Sequence, residues 1–412
     1  MATLPSTACM AEPAPSRASP RDDQAMSTTL APNASALTDE QSAFVEAIRD
    51  FCDREVGTRE QRDTLTNNGR HPHNMELYRR VAELGWLGIS IGEEYGGTGG
   101  TMVDLMLFLE ETSRGMLPIG GFGVSMISAG AVEKFGTEEL KQEILGGVVN
   151  GNVESIAMSE PGAGSDVGAL QCKAEKVDGG YIVNGQKTWI SEAQFASHIL
   201  LVCRTTPGGR KHEGLTMLSV PVPSEGMEIR GIETMGGEVV NDVFFTDVFV
   251  PDARLVGAQD QAWMQLMTGL NLERLILAGL LLGTAQRAFD DVLSYIKERE
   301  QFGRPIGSFQ ALKHRVADLA TEIECCRLLT YDVARKVDAN PGALFPREAS
   351  MAKLKVTETA KRVALEGMQM MGGYGYATEY DMEGHVRQTL VSTIYGGTSE
   401  IQRDIIGKTY GL

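Results

Sequence analysis

The chain has 412 residues and a mass of 44.6 kDa, which exceeds one ordinary hydrophobic core and fits two or three packed units. Its formal net charge of −17 excludes a typical nucleic-acid-binding protein, because the phosphate backbone demands a basic surface. The 42% of hydrophobic and 23% of charged residues are typical of a globular protein, and no apolar run reaches the roughly 18 residues that a membrane span requires.

Cysteines and histidines give no sign of disulfides or of a metal site. The six cysteines are scattered without a Cys-x-x-Cys pair, a pattern typical of a reducing compartment. His71 and His73 flank Pro72 without a second cluster of ligands. No metal is therefore predicted.

The N-terminal segment differs from the rest of the chain in composition. Residues 1–35 are rich in Ala, Pro, Ser and Thr and contain a second possible start at Met26, so we expect a disordered tail or a start-site artefact. Glu12, Asp22 and Asp23 are unlike the acid-poor composition of a mitochondrial presequence. A cytoplasmic location of the bacterial type is therefore favoured over the mitochondrial matrix.

Helical periodicity begins directly after this tail. Thr38 is an expected N-cap three residues before Gln41, and apolar residues recur at helical spacing from Phe44 to Phe51. Further helical patterns, separated by glycine-rich breaks, follow near 74–84, 102–113, 122–135 and 137–149. Residues 36–154 are therefore predicted to form an all-helical domain.

The period changes in the middle of the chain. Strands are predicted for the β-branched and aromatic runs at 181–183, 199–202 and 243–245. Asn184-Gly185 predicts a hairpin turn directly after the first of these runs. Residues 155–256 are therefore predicted to be a β domain inserted between helical ones.

Helical periodicity returns after Pro251 and holds to the C-terminus, with Pro305 and Pro341 at breaks between helices. The apolar stretch around 275–282 is flanked by charged residues, and it predicts a buried helix. Residues 257–412 are therefore predicted to form a second helical domain, and the fold class is α+β.

Two segments of the middle domain suit a planar ligand. The small residues of 158–166 let backbone N–H groups approach a planar or anionic group, although a plain Pro-Gly turn explains them equally well. Gly162 and the glycines after it miss the Gly-x-Gly-x-x-Gly spacing, so a Rossmann dinucleotide site is disfavoured. Trp189, with hydroxyls nearby, suits packing on a flavin, and a core aromatic residue is the alternative.

A pair of charges interrupts the apolar helix at 270–277. Glu273 and Arg274 are the only acid and base in this segment, and charges are rarely buried without a reason. Glu273 is therefore a candidate functional carboxylate. The alternative is that Glu273 pairs with a neighbouring arginine or marks the rim where the helix leaves solvent.

Taken together, these segments resemble the acyl-CoA dehydrogenase family. The segments around Ser159 and Trp189 resemble its first signature, and two later stretches, 299–310 and 369–376, resemble its following segments in the same order. The resemblance covers roughly residues 38 to 412. It implies a helical N-terminal domain, a β-barrel-like middle domain and a C-terminal four-helix bundle, with FAD as cofactor.

The resemblance also implies roles for individual residues. The isoalloxazine of FAD would be lined by Met158, Ser159, Trp189, Ile190 and Ser191. A neighbouring subunit would contact the same FAD through Arg299, Phe302, Gln310, Gln369, Gly372 and Gly373, which implies a homotetramer. Thr398 and Glu400 would also hold the flavin, and Ser165 would lie near the CoA portion of the substrate.

The position of the catalytic base departs from the commonest family pattern. Gly396 occupies the place where many members carry the glutamate that removes the α-proton. A glycine keeps its backbone N–H, so residue 396 can still polarise the thioester carbonyl. Isovaleryl-CoA and long-chain acyl-CoA dehydrogenases carry their base on the helix that here contains Glu273, which makes Glu273 the predicted base. Glu400 and Asp404 are weaker alternatives.

The remaining predicted substrate contacts are Asn271, Arg274, Gly396 and Gly397. The predicted reaction is FAD-dependent α,β-dehydrogenation of a branched or medium-to-long acyl-CoA, with electrons passed to electron-transfer flavoprotein. A flavin oxidase or monooxygenase, a dehydrogenase of carrier-protein thioesters and a catalytically silent FAD-binding subunit stay open as alternatives.

Overall fold

Six helices form the N-terminal part of the computed structural model, which describes residues 37–412, apart from the side chain of Thr268. The predicted tail, residues 1–35, lies outside the described residues. The six helices are α1 (Asp39–Val56), α2 (Arg59–Thr66), α3 (Met75–Glu83), α4 (Met102–Arg114), α5 (Gly121–Phe135) and α6 (Glu138–Val149). The four helical patterns predicted after the first helix match α3 to α6 within one residue at each end.

Side-chain caps determine where the first helices begin. Thr38 Oγ1 accepts a hydrogen bond from Gln41 N at 3.1 Å, and Gln41 Oε1 accepts one from Thr38 N at 3.2 Å. The predicted N-cap is therefore confirmed. The same capping pair, Thr58 with Gln61, begins α2, which the sequence prediction missed because this short helix is almost entirely polar.

The middle of the chain folds into one eight-stranded sheet. Its strands are β1 (Val153–Ala157), β2 (Lys173–Val177), β3 (Gly180–Ser191), β4 (Ala196–Arg204), β5 (Leu215–Pro221), β6 (Met227–Thr234), β7 (Gly237–Pro251) and β8 (Leu255–Val256). They follow the order β6-β7-β3-β2-β4-β5-β8, and β1 pairs in parallel with β4. The three predicted strand runs lie in β3, β4 and β7.

The hairpin turn predicted at Asn184-Gly185 is wrong. Both residues lie inside β3, where Asn184 pairs with Lys173 of β2 and Gly185 pairs with Phe245 of β7. Strand partners on both sides override the local turn preference of the Asn-Gly dipeptide. The turn before β3 is instead made at 178–179, between the paired residues at the ends of β2 and β3.

Long helices dominate the C-terminal part. After α7 (Ala262–Glu298) come a small hairpin and five further helices: β9 (Glu300–Gln301), β10 (Arg304–Pro305), α8 (Gln310–Ala339), α9 (Pro346–Met371), α10 (Gly373–Tyr376), α11 (Met382–Ser392) and α12 (Ser399–Lys408). Helix α7 packs against α4, α5, α8, α9 and α11. The predicted breaks at Pro305 and Pro341 fall between helices.

The central helix, α7, is apolar because it is buried. By length and hydropathy alone, it is the one described helix that could span a membrane. However, 59% of its most apolar 18-residue stretch is buried inside the protein. Leu275, Ile276 and Leu282 are fully covered by neighbouring helices, so the predicted buried helix is confirmed. Residues 37–412 form one compact unit, and we propose domain boundaries near 154 and 256, with β1 crossing the first.

Candidate active site

Glu273 lies in the N-terminal half of α7 and is half-buried. Desolvation raises the pKa of its carboxyl group, and the positive charges of Arg274 and Lys353 oppose that rise. A carboxylate in this environment binds a proton more strongly than a solvated one, while two cations keep the ionised form accessible. This combination suits a general base.

Gly396 faces Glu273 across a narrow space. Its φ of +60° lies in the left-handed region, and a β-carbon added there would lie 3.6 Å from Glu273 Oε1 and would collide with Leu277 Cδ1. Side chains at 273 and 396 would therefore project into the same space. The structure thus brings together the predicted base and the glycine that stands where many relatives carry theirs.

The loop that carries Gly396 is held by two fully buried side chains. Lys353 of α9 donates from Nζ to Ser392 O at 3.0 Å and to Gly397 O at 2.8 Å. Gln402 of α12 donates from Nε2 to Gly396 O and to Gly397 O, each at 3.0 Å. Four hydrogen bonds thus fix the backbone of residues 392–397.

Sequence reasoning missed both of these side chains. The available signal was a lysine inside the apolar stripe of α9, where Ala349, Ala352 and Val356 are all buried.

Among the predicted substrate contacts, Asn271 and Arg274 pair with each other, because Arg274 Nη1 donates to Asn271 Oδ1 at 2.8 Å.

The predicted flavin-lining residues come together at the end of β3. Thr188 N donates to Ser159 O at 3.0 Å, and Lys187 Nζ donates to Met158 O at 2.9 Å. These bonds place the Met158-Ser159 segment beside the Trp189–Ser191 segment. Lys187 is fully buried, and its ion pair with Glu160 at 2.8 Å anchors the same junction.

Trp189 turns its ring outward at a break in the strand pairing. The ladder between β3 and β7 shifts register between Lys187 and Ile190, and Trp189 has a φ of +63° there. As a result 59% of this large apolar residue is exposed, next to the half-buried Ser191. An open indole surface flanked by hydroxyl groups fits the face and the polar edge of an isoalloxazine ring.

The second set of predicted FAD contacts lies far from Glu273. Arg299 caps the C-terminal end of α7, and the rise of an α-helix places it about 39 Å from Glu273 along the axis. Its guanidinium lies 5.4 Å from the centre of the Tyr374 ring, next to the exposed Gly372 and Gly373. Phe302, at the tip of the β9–β10 hairpin, is 93% exposed.

Five further predicted contacts lie at the surface or at a helix start. Gln310 and Gln369 are exposed at the first residue of α8 and near the end of α9. Thr398 caps α12, where its side chain accepts a hydrogen bond from Ile401 N at 3.3 Å, and Glu400 is exposed in the first turn. Ser165 is exposed beside the ion pair of Asp166 with Lys211.

Comparisons with known proteins decide the family. Three sequence profiles match consecutive parts of the chain: "Acyl-CoA dehydrogenase, N-terminal domain" at 38–152, the middle domain of the same family at 155–248 and its C-terminal domain at 260–411. The chain belongs to the acyl-CoA dehydrogenase family. The sequence resemblance is thus confirmed, and with it the predicted fold class, the oxidoreductase class and FAD as the cofactor of the family.

Similar members of the family come from plants and bacteria. The chain is 34% identical to the mitochondrial isovaleryl-CoA dehydrogenase of Solanum tuberosum, over 90% of each protein. It is 36% identical to the probable acyl-CoA dehydrogenase YngJ of Bacillus subtilis, over 90% of this chain and 98% of the relative. The crystal structure of an acyl-CoA dehydrogenase from Geobacillus kaustophilus shares 33% identity and a TM-score of 0.86, covering 92% of this chain and 99% of that one.

Proposed function

We propose that this acyl-CoA dehydrogenase oxidises a short, branched acyl-CoA to the trans-2-enoyl-CoA and that Glu273 is its catalytic base. The observation that carries the proposal is the distance of 3.6 Å from Glu273 Oε1 to the β-carbon position of Gly396. A carboxylate on α7 thereby reaches the space that a glutamate at 396 would occupy. The missing carboxylate at 396 and the extra one at 273 compensate each other.

Each residue contributes a distinct step. Glu273 takes the α-proton of the thioester onto its carboxylate, and its surroundings raise its affinity for that proton. The backbone N–H of Gly396, held by the bonds of Lys353 and Gln402 to the same loop, would donate to the thioester carbonyl as negative charge develops there. FAD, when bound, supplies the acceptor for the hydride that leaves the β-carbon.

The cofactor would bind between two chains. Met158, Ser159, Trp189, Ile190 and Ser191 would line the isoalloxazine, with Thr398 and Glu400 nearby. The cluster near Arg299 would reach the FAD of a partner subunit, and its separation of about 39 Å from Glu273 along α7 supports this arrangement. We therefore propose a homotetramer.

Relatives support the branched substrate and the electron acceptor. Proteins 33–34% identical to this chain are named as isovaleryl-CoA, 2-methylacyl-CoA and short/branched chain specific acyl-CoA dehydrogenases. Another relative, 33% identical, is named as a subunit of a caffeyl-CoA reductase–Etf complex. Electron-transfer flavoprotein is accordingly the proposed acceptor. The cytoplasm is the proposed location, because the acidic residues of segment 1–35 are unlike a mitochondrial presequence.

A carrier-protein thioester is the second candidate substrate. Solved structures that resemble this chain include a prolyl acyl carrier protein oxidase, AnaB, with 27% identity and a TM-score of 0.84. A complex of PigA with FAD and proline has a TM-score of 0.85 at 26% identity. Because AnaB is named as an oxidase of a prolyl acyl carrier protein, the substrate test includes both kinds of thioester carrier.

The test mixes the FAD-loaded protein anaerobically with a panel of branched and straight acyl-CoAs and with prolyl-carrier protein, while flavin bleaching is followed. Fast bleaching with a short, branched acyl-CoA is the expected result. Glu273→Gln keeps the size of the side chain, and it should slow bleaching by about 10²- to 10⁴-fold because the general base is lost. The matched control is Glu366→Gln, a glutamate paired with Arg315 at 3.0 Å.

Each other outcome has a defined meaning. Equal rates in Glu273→Gln and the wild type would sink the assignment of the base and direct attention to Glu400 and Asp404. Bleaching by the carrier-bound thioester alone would replace acyl-CoA as the substrate. A protein that binds FAD but is bleached by no thioester would be a catalytically silent subunit.

A further inference from the structure

Lys353 is a lysine without any exposed surface, and its ammonium bonds to backbone carbonyls. Burying a charge without a close carboxylate is costly, so such a lysine is rarely kept without a reason. Desolvation lowers the pKa of Lys353 to about 8, and the charge of Glu273 opposes that change. Lys353 thus interacts both with the proposed base, Glu273, and with the loop of residues 392–397 that contains Gly396.

Charged groups surround Lys353 on three helices. Glu273 and Arg274 face it from α7, Glu358 lies on its own helix α9, and Glu400 lies on α12. Of these, Glu273 has the largest charge effect on Lys353, and Lys353 in turn favours the ionised form of Glu273. The influence is therefore mutual.

The backbone bonds of Lys353 act on the other half of the proposed site. Ser392 O and Gly397 O, the two carbonyls that it holds, flank Gly396 on both sides along the chain. Without the lysine these two carbonyls would lose a charge-assisted partner. Of the two side chains that hold this loop, Lys353 and Gln402, only Gln402 would then remain to orient the Gly396 N–H.

We propose that Lys353 is a positioning residue with two effects: it fixes the loop that presents the Gly396 N–H, and its positive charge favours the ionised form of Glu273 before substrate binds. The inference rests on the proposed function, because it assigns Glu273 as base and Gly396 as carbonyl donor. Lys353 acts through these groups and does not touch the reacting atoms. Gln402 shares only the first effect, since it is uncharged.

Three variants separate charge from clamping. Lys353→Met removes both effects, Lys353→Arg keeps the positive charge, and Gln402→Met removes two loop bonds but no charge. Glu358→Gln is the control for a nearby charge, because Glu358 pairs with Arg403 outside the loop. FAD content and thermal unfolding show whether each variant is folded.

The first readout is the pH dependence of flavin reduction by the preferred acyl-CoA. Loss of a cation raises the pKa of a neighbouring carboxyl group, so the acid limb of the Lys353→Met profile should move to higher pH by about one unit or more. Lys353→Arg and Gln402→Met should keep the acid limb of the wild type. Gln402→Met should instead lower the rate at all pH values.

The second readout is independent of activity. Amide hydrogen exchange of residues 392–398 should become at least tenfold faster in Lys353→Met and in Gln402→Met, and should stay unchanged in Glu358→Gln. Equal exchange in all variants, together with an unshifted acid limb in Lys353→Met, would overturn the inference. If Lys353→Met does not fold, Lys353→Arg provides the test instead. An acid limb of Lys353→Arg that moves to higher pH by about one unit or more would then overturn the inference.

Glu273→Gln, measured in parallel, keeps the two proposals distinct. If Glu273→Gln reduces the flavin as fast as the wild type, the proposed function is wrong. If Glu273→Gln is slow but the Lys353 variants match the wild type in both readouts, the proposed function stands and only the role of Lys353 is wrong.

Discussion

At the scale of single residues, Glu192 is a buried carboxyl group directly after Ser191, a proposed flavin contact. It is 1% exposed, and desolvation raises the pKa of its carboxyl to about 8. Gln194 Nε2 donates to Glu192 Oε2 at 3.2 Å, whereas Glu192 Oε1 has no hydrogen-bond partner among the described residues 37–412. Glu192 therefore carries its proton at neutral pH in the folded protein.

This burial predicts a pH dependence of stability. An acid whose folded pKa is raised from 4.5 to about 8 contributes stability that is complete below pH 4.5 and is lost as pH rises through about 8. Glu192→Gln removes that dependence, so its unfolding free energy relative to the wild type should rise by about 1 kcal/mol per pH unit between pH 5 and 8. Denaturant unfolding at several pH values measures it, and parallel curves would refute the assignment.

At the scale of elements, capping and periodicity predicted five of the six N-terminal helices. The Thr38–Gln41 capping pair and the apolar spacing after it identified α1, and α3 to α6 followed from the same pattern. Helix α2 was not predicted because it carries almost no apolar residue. The Asn184-Gly185 error has another cause, since pairing with both β2 and β7 is a long-range effect that no dipeptide encodes.

The site divides in the same way. Glu273 is visible in the sequence because a charge interrupts an apolar helix, and Gly396 is visible because it departs from a motif. Lys353 acts on backbone carbonyls 39 and 44 residues away in sequence, so its role appears only once α9 and the loop are packed together. Gln402 bonds to carbonyls only five and six residues before it, but nothing in a local pattern distinguishes these bonds. Tertiary hydrogen bonds to the main chain leave little trace in a local pattern.

At the scale of the whole molecule, the proposed base and the proposed FAD contact Arg299 lie far apart in one chain. Glu273 and Arg299 lie toward opposite ends of α7, about 39 Å apart. We therefore propose that a partner subunit supplies the Arg299 cluster. Each site would contain residues of two chains.

Mixed oligomers test this arrangement. Glu273→Gln chains keep Arg299, and Arg299→Ala chains keep Glu273, so a site formed between them would contain both intact residues. We expect each variant alone to be slow in flavin reduction and the co-expressed, doubly tagged heteromer to regain activity. No recovery in a heteromer that forms and binds FAD would show that both groups serve one chain.

The most direct test of Glu273 as base moves the carboxylate back to residue 396. A glutamate there needs space, because its β-carbon would collide with Leu277 Cδ1. Glu273→Gly with Gly396→Glu should therefore stay slow, and the addition of Leu277→Ala should raise the rate of flavin reduction at least tenfold above Glu273→Gly alone. A folded, FAD-loaded triple variant that is no faster than Glu273→Gly would contradict the shared position of the two carboxylates.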